Sequence, residues 1–187
     1  MISAVYDACI LFSGSLRDFL LWLGYARVVH PLWSEKIHEE WMRNLFEKRP
    51  HLLWERLERT RREMDTKFPR SLVLGYEPIM QTLTLADPDV RHVFAVAIHS
   101  KAEFIVTFNL NDFPKASLQP HGIEAVSPDE FVHRLIKKTP RRVLYAARKH
   151  RLSLTRPPKT VDEYLATLEK QKLPKTVAFL REHKADI

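Results

Sequence analysis

Apolar residues in this chain recur in two rhythms, and the alternation between them predicts the fold. Residues 2–11 are apolar around a single acid, Asp7, and too short for a buried helix, as expected of a strand covered on both faces. Over residues 15–25 the spacing becomes helical, with Leu16, Phe19, Leu20 and Leu23 on one side. A second strand fits residues 27–33, and Ser34 is placed to cap a helix running to about Arg49. A very polar helix over residues 51–67 follows; residues 71–85 carry mixed signals and stay unassigned. Asp87-Pro88 pairs an N-cap with a proline at the first helical position, which predicts a helix to about Lys101. Residues 103–109 and 123–126 have the composition of strands. The run Ser127-Pro128-Asp129-Glu130 combines a capping box with an N1 proline and starts a helix ending near Thr139. Beyond Pro140 the pattern is helical throughout: residues 141–154, a break at Pro157-Pro158, a capping box at Thr160 and Glu163, and a last helix from about Pro174.

Strands alternating with helices predict an α/β domain over residues 1–139, built on a parallel sheet covered by helices, with a helical extension over residues 140–187. Such sheets hold ligands beyond the carboxyl ends of their strands, where Asp7 and residues 109–112 fall.

Composition narrows the chemistry. The chain of 187 residues suits one domain with an appendage. Its single cysteine, Cys9, forms no intrachain disulfide, and no His/Cys spacing suggests zinc. The N-terminus lacks the basic start of a signal peptide, and no apolar run approaches the roughly 20 residues of a membrane span, so a soluble, cytoplasmic protein without membrane contact is expected. Residues 1–139 hold 18 basic and 18 acidic side chains and residues 140–187 hold 12 and 5, so the whole net charge of +7 lies in the extension. A cationic surface attracts polyanions. Charge alone does not separate that role from a pair of solvated, lysine-rich helices, which needs fewer assumptions.

Three stretches supply acids. Asp7 stands among Val5, Tyr6, Ala8 and Ile10, where a charge is costly unless paired or bound to a cation. On the helix after Ser34, the stripe Ile37, Trp41 and Leu45 faces inward with Glu40 on its edge, whereas Glu39 is expected to point away. The third is Thr107-Phe108-Asn109-Leu110-Asn111-Asp112, which leaves a strand with oxygen-bearing side chains, though such residues also simply make turns. Two carboxylates about 5 Å apart repel by roughly 3 kcal/mol at an effective dielectric near 20. Magnesium or manganese would remove that cost and could activate water against a phosphodiester.

The runs Val5-Tyr6-Asp7-Ala8-Cys9-Ile10-Leu11, Leu16-Arg17-Asp18, Trp33-Ser34-Glu35-Lys36-Ile37 with Glu40-Trp41, Arg91-His92-Val93, and Val106-Thr107-Phe108-Asn109-Leu110-Asn111-Asp112-Phe113-Pro114 resemble PIN-domain proteins, the fold of VapC-type toxins. The extension, with Pro157-Pro158-Lys159-Thr160-Val161-Asp162-Glu163-Tyr164-Leu165, resembles the tail of the same bacterial subfamily. The resemblance implies a three-layer α/β/α sandwich, a Mg²⁺ or Mn²⁺ site, endonucleolytic cleavage of RNA, and a cognate antitoxin partner, with a homodimer as one assembly. Matched by residue, it makes Asp7 the first metal-site acid, Glu40 the second, and Asp112 with Asn109 the fourth-acid region, supported by the Thr107 hydroxyl.

The third acid is missing. Similar proteins carry Asp immediately before Arg-His-Val, and here that place is Val90, on an inward stripe with Val93, Phe94 and Ala97. Asp89, about 100° around an ideal helix, could replace it only if the first turn shifts, and it also suits the helix N-terminal dipole. Weakened metal binding and a gain of activity in Val90→Asp are therefore expected. The competing reading is a PIN-fold RNA-binding module without catalysis. Arg91 is expected to flank the site, His92 to face outward, and Arg17 with Asp18 to form an ion pair that orients the site. Aspartyl-phosphate chemistry is disfavoured because Cys9 stands where a second aspartate belongs, and the chain has no Walker loop.

Overall fold

The computed structural model describes residues 1–49, 51–83 and 88–187. It is an α/β protein whose strands β1 (Ile2–Tyr6), β2 (Val29–Leu32), β3 (Phe104–Val106) and β4 (Glu124–Val126) form one sheet in the order β2-β1-β3-β4. The β1–β3 and β3–β4 pairs are parallel, with Tyr6 opposite Val106 and Val106 opposite Val126. Val5, Tyr6, Ile105 and Val106 are fully buried, which explains why these strands are runs of apolar residues instead of alternating ones. This register sets Asp7 beside Thr107 just past two neighbouring strand ends: Asp7 N donates to Val106 O (3.2 Å) and Thr107 N to Val126 O (3.0 Å).

By internal contacts the chain divides at other points than residue 139: one compact unit comprises Met1, residues 13–30 and 127–187, the other residues 2–12 and 31–126. In the second unit, the helix Glu35–Lys48 starts as expected, with Ser34 Oγ accepting from Ile37 N, and buries Ile37, Trp41 and Leu45. It is tied to the helix Trp54–Lys67 through a buried histidine. Trp41 Nε1 donates to His38 Nδ1 (3.0 Å), so the His38 proton lies on Nε2, 3.1 Å from Asp65 Oδ1. The same oxygen accepts from Trp33 Nε1 (2.8 Å). Burial holds His38 below the ordinary histidine range, against the pull of Asp65.

The unassigned stretch supplies a short parallel bridge, Trp33 to Leu72, and the helix Glu77–Thr82. The expected N-cap Asp87 lies outside the described residues. Pro88–Val90 form a 3-10 turn, and the α-helix begins only at Arg91 and runs to His99. It closes with Lys101 at φ 53 and Ala102 N donating to Ala97 O (2.9 Å), a Schellman stop that feeds directly into β3.

In the other unit, the helices Gly14–Tyr25, Pro128–Lys138, Pro140–Ser153, Val161–Lys170 and Pro174–Glu182 pack among themselves. The capping box at Thr160 and Glu163 is complete. At Ser127 only half of the expected box forms: Ser127 Oγ accepts from Glu130 N, but the Glu130 carboxylate turns to Lys175 Nζ (2.7 Å) and Arg134 Nε (3.2 Å). Among the described residues, no helix is long and apolar enough to cross a membrane.

Candidate active site

Beyond the carboxyl ends of β1 and β3 lies a polar cavity of about 550 Å³. Asp7, Glu40, Asp89 and Asn109 all line it, together with Glu39, Lys36, Arg43 and Val90. Acids from three distant stretches therefore share one space, with Asp89 and not Asp112 as the third.

Asp7 follows β1 at the N-cap position of the short helix Ala8–Leu11, yet its side chain makes no capping bond. It is 6% exposed. Its Oδ2 accepts from Thr107 Oγ1 (2.6 Å) and from the Cys9 thiol (3.1 Å), and among the described residues no cation pairs with it. Thr107 is fixed in turn, because its Oγ1 accepts from Asn109 N (3.0 Å). The hydroxyl thus has its proton directed at the carboxylate by a backbone donor behind it. Cys9 belongs to the same knot: Phe108 N donates to its sulfur (3.3 Å), while burial and the neighbouring Asp7 charge push its pKa up to about 12. The thiol keeps its proton and is a donor to Asp7, not a nucleophile. Its apolar setting in the sequence gave no sign of this role, and only its i+2 spacing from Asp7 could have hinted at it.

Glu40 is one-fifth exposed, with Oε1 2.9 Å from His92 Nε2. His92 therefore faces inward, against expectation. The reason is that His92 through Ala97 are all buried, so the first turn of this helix has no solvent side. The contact is short but lacks the alignment of a hydrogen bond, and Nδ1 has no partner among the described residues. Glu39 also differs from expectation, because it is exposed yet sits on the cavity rim. The helix Glu35–Lys48 turns a broad side to the cavity, which takes in Lys36, Glu39, Glu40 and Arg43 together.

Asp112 is not brought in. It ends the 3-10 turn Leu110–Asp112, half-buried and off the cavity lining, with its backbone N donating to Asn109 O (3.1 Å). The tight turn swings Asn109 toward the cavity and Asp112 away from it. Asp89 lines the cavity because the 3-10 geometry of Pro88–Val90 changes the phase on which its exclusion rested. Val90 stands there too, half-buried. Arg91 is half-buried and off the lining. Arg17 lies in the other compact unit, its Nε 3.6 Å from Asp18 Oδ1.

Among the described residues, no three His, Cys, Asp or Glu side chains already stand close enough to enclose an ion. The donor types still fit a hard divalent cation: a buried, cation-free carboxylate, further carboxylates on the same cavity and a carboxamide, with the only sulfur kept protonated. Asp7, Glu40, Asp89 and Asn109 are the residues that would hold such an ion.

Residues 128–182 match the family model of the VapC50 C-terminal domain. That segment is thus similar to the C-terminal domain of that family. The chain is also 36% identical over 83 residues to the Mycobacterium tuberculosis protein named "Putative ribonuclease VapC50", an alignment covering 42% of this chain and 48% of that protein. The chain therefore spans about half the length of the curated relative it matches. No solved structure matches it. The resemblance to VapC-type proteins is thus supported over part of the chain, by the domain model over residues 128–182 and by an alignment of 83 residues.

Proposed function

We propose that this protein is a divalent-metal-dependent endoribonuclease of the VapC toxin type, acting in the cytoplasm and restrained by a cognate antitoxin. The observation that carries the reading is Asp7: a carboxylate 6% exposed, held among the described residues by neutral donors only, on a cavity shared with Glu40. Burying a charge in this way is unfavourable by several kcal/mol unless something supplies the opposite charge. A bound Mg²⁺ or Mn²⁺ would supply it, and would also polarise a phosphodiester and lower the pKa of a bound water.

In this reading Asp7 and Glu40 are the metal-binding acids, and Asn109 and Asp89 offer further oxygens from the same cavity. Asp112 acts, if at all, only after the 110–112 turn rearranges. Thr107 and Cys9 orient Asp7 by donating to one of its oxygens, which leaves the other for the ion. Lys36 and Arg43 on the rim attract the phosphate backbone of RNA. The test is cleavage of structured RNA with and without Mg²⁺ or Mn²⁺, comparing the wild type with Asp7→Asn. Metal-dependent cleavage that falls at least a hundredfold in the variant supports the proposal; equal cleavage by both proteins would overturn it.

Val90 favours a second reading, in which the domain binds RNA and cuts poorly or not at all. A methyl-bearing side chain lines the cavity where an acid would complete the site. Val90→Asp should then raise Mn²⁺ affinity about tenfold, the effect of one added charge contact in a screened site. Calorimetric titration with Mn²⁺ measures this directly, and unchanged affinity would show the site to be misplaced.

A further inference from the structure

We propose that the helix Pro140–Ser153 carries a second nucleic-acid contact, a stacking and phosphate-binding surface for single-stranded RNA centred on Tyr145. Arg141, Tyr145 and Arg148 follow one another at helical spacing and line a concavity of about 520 Å³ with Leu144, His183 and Asp186. That volume lies within the range of small-ligand sites. Tyr145 is 53% exposed, and the Lys149 ammonium sits 5.5 Å from its ring centroid.

This surface combines an exposed ring with cations that are not spent on carboxylates, Lys149 lying over the ring itself. Elsewhere in the same unit Arg134 and Lys175 pair with Glu130, Arg181 with Glu169, and Lys184 with Asp162. Arg142 donates to the Arg27 carbonyl, and Arg151 to those of Lys159 and Ile187. Among the described residues, Arg141, Arg148 and Lys149 have no carboxylate within ion-pair distance. Three cations without carboxylate partners around one half-exposed ring supply the two things single-stranded nucleic acid needs: a π-face for a base, on the side that Lys149 leaves open, and positive charge for the flanking phosphates. Arg141 and Arg148, seven residues apart on one helix face, lie about two turns from each other, on either side of that ring. Asp186 is the opposing group, an exposed carboxylate on the same concavity that weakens phosphate binding.

The surface is independent of the nuclease reading, because it is tested by binding and not by cleavage. A labelled single-stranded RNA of about 12 nucleotides, a length within known site sizes, is titrated into the full chain carrying Asp7→Asn, with anisotropy as the readout. Tyr145→Ala should weaken binding about tenfold, the loss of one stacked base. Arg141→Ala with Arg148→Ala should flatten the dependence of log affinity on log salt by about 0.7 per phosphate contact removed. Asp186→Asn should tighten binding severalfold, a gain that misfolding would not produce. The charge-matched control is Lys137→Ala with Lys138→Ala on the neighbouring helix. Equal weakening by that control, no effect of Tyr145→Ala, or a preference of these residues for anionic vesicles over RNA would each overturn the proposal.

Discussion

Two buried aspartates, one in each compact unit, differ in how the protein treats them. Asp129 is 7% exposed and Asp7 6% exposed. Asp129 Oδ1 accepts from Thr176 N (2.9 Å) and Thr176 Oγ1 (2.9 Å), and its Oδ2 from Lys175 N (3.0 Å). It thus closes the N-terminus of the helix Pro174–Glu182, where orphan N–H groups and the helix dipole both favour an anion. Asp7 also follows the geometry of an N-cap, yet its side chain makes no capping bond and, among the described residues, accepts only from two neutral side chains, both on one oxygen. At equal burial, one carboxylate is consumed by the fold and the other is left with coordinating capacity facing a cavity. The proposed role of Asp7 rests on that difference more than on the number of nearby acids.

The comparison breaks most readily at its structural end. Asp129→Ala strands three donors, two of them on fully buried Thr176, and should destabilise the protein by about 4 kcal/mol, given roughly 1–3 kcal/mol per unsatisfied or charge-assisted partner. Chemical denaturation measures this, and a loss below 1 kcal/mol would show that Asp129 is dispensable. The next effect comes from His150 in the same unit, which is 2% exposed, with Nδ1 3.1 Å from the Tyr164 hydroxyl and its ring 6.0 Å from that of Phe19. Burial, aided by the Lys159 charge, lowers its pKa to about 4. As pH falls through the ordinary value of about 6.5, the unfolded chain takes up a proton that the folded chain refuses until about 4. The stability present above pH 6.5 should therefore decline by up to about 3 kcal/mol across that window. His150→Leu should flatten this slope in denaturation curves recorded from pH 7 to 4, and an unaltered slope would assign the effect elsewhere.

The same contrast explains what could be seen in the sequence. Helix starts were legible because caps are local: Ser34 to Ile37 N and Thr160 to Glu163 N act within one turn. The strand ends bearing Asp7 and Thr107 were legible because runs such as Val5-Tyr6 and Ile105-Val106 sit in a doubly covered sheet. The role of Asp129 was not, since its partners lie 46 and 47 residues away and its own neighbourhood offered a simpler local capping pattern. Glu130 misled for the same reason, as half of an expected box whose carboxylate was claimed by Lys175. Around the cavity, ideal helical phase does not describe Asp89, and the resemblance that put Asp112 in the site does not carry the local turn. The 3-10 turns at Pro88–Val90 and Leu110–Asp112 bring Asp89 in and leave Asp112 out. His92 turns inward because amphipathic spacing does not describe a helix buried from His92 to Ala97.

The smallest effect is the most diagnostic, because its sign opposes that of Asp129→Ala. In Asp7→Asn the amide oxygen can still accept from Thr107 Oγ1, while its NH₂ group turns to the polar cavity and can be hydrated there. The substitution removes a buried charge that no cation among the described residues offsets, so the metal-free protein should gain about 1–2 kcal/mol of stability, the discount on desolvating an amide instead of a carboxylate. For a chain of this size that corresponds to a rise in Tm of about 2–8 °C. Adding Mn²⁺ should reverse the order, because only the wild type then acquires the missing counter-charge and gains stability by ligation. Thermal melts of both proteins with EDTA and with Mn²⁺ read the two signs separately. A variant less stable than the wild type in EDTA would mean that Asp7, like Asp129, serves the fold, and its lack of a cationic partner would then carry no functional meaning.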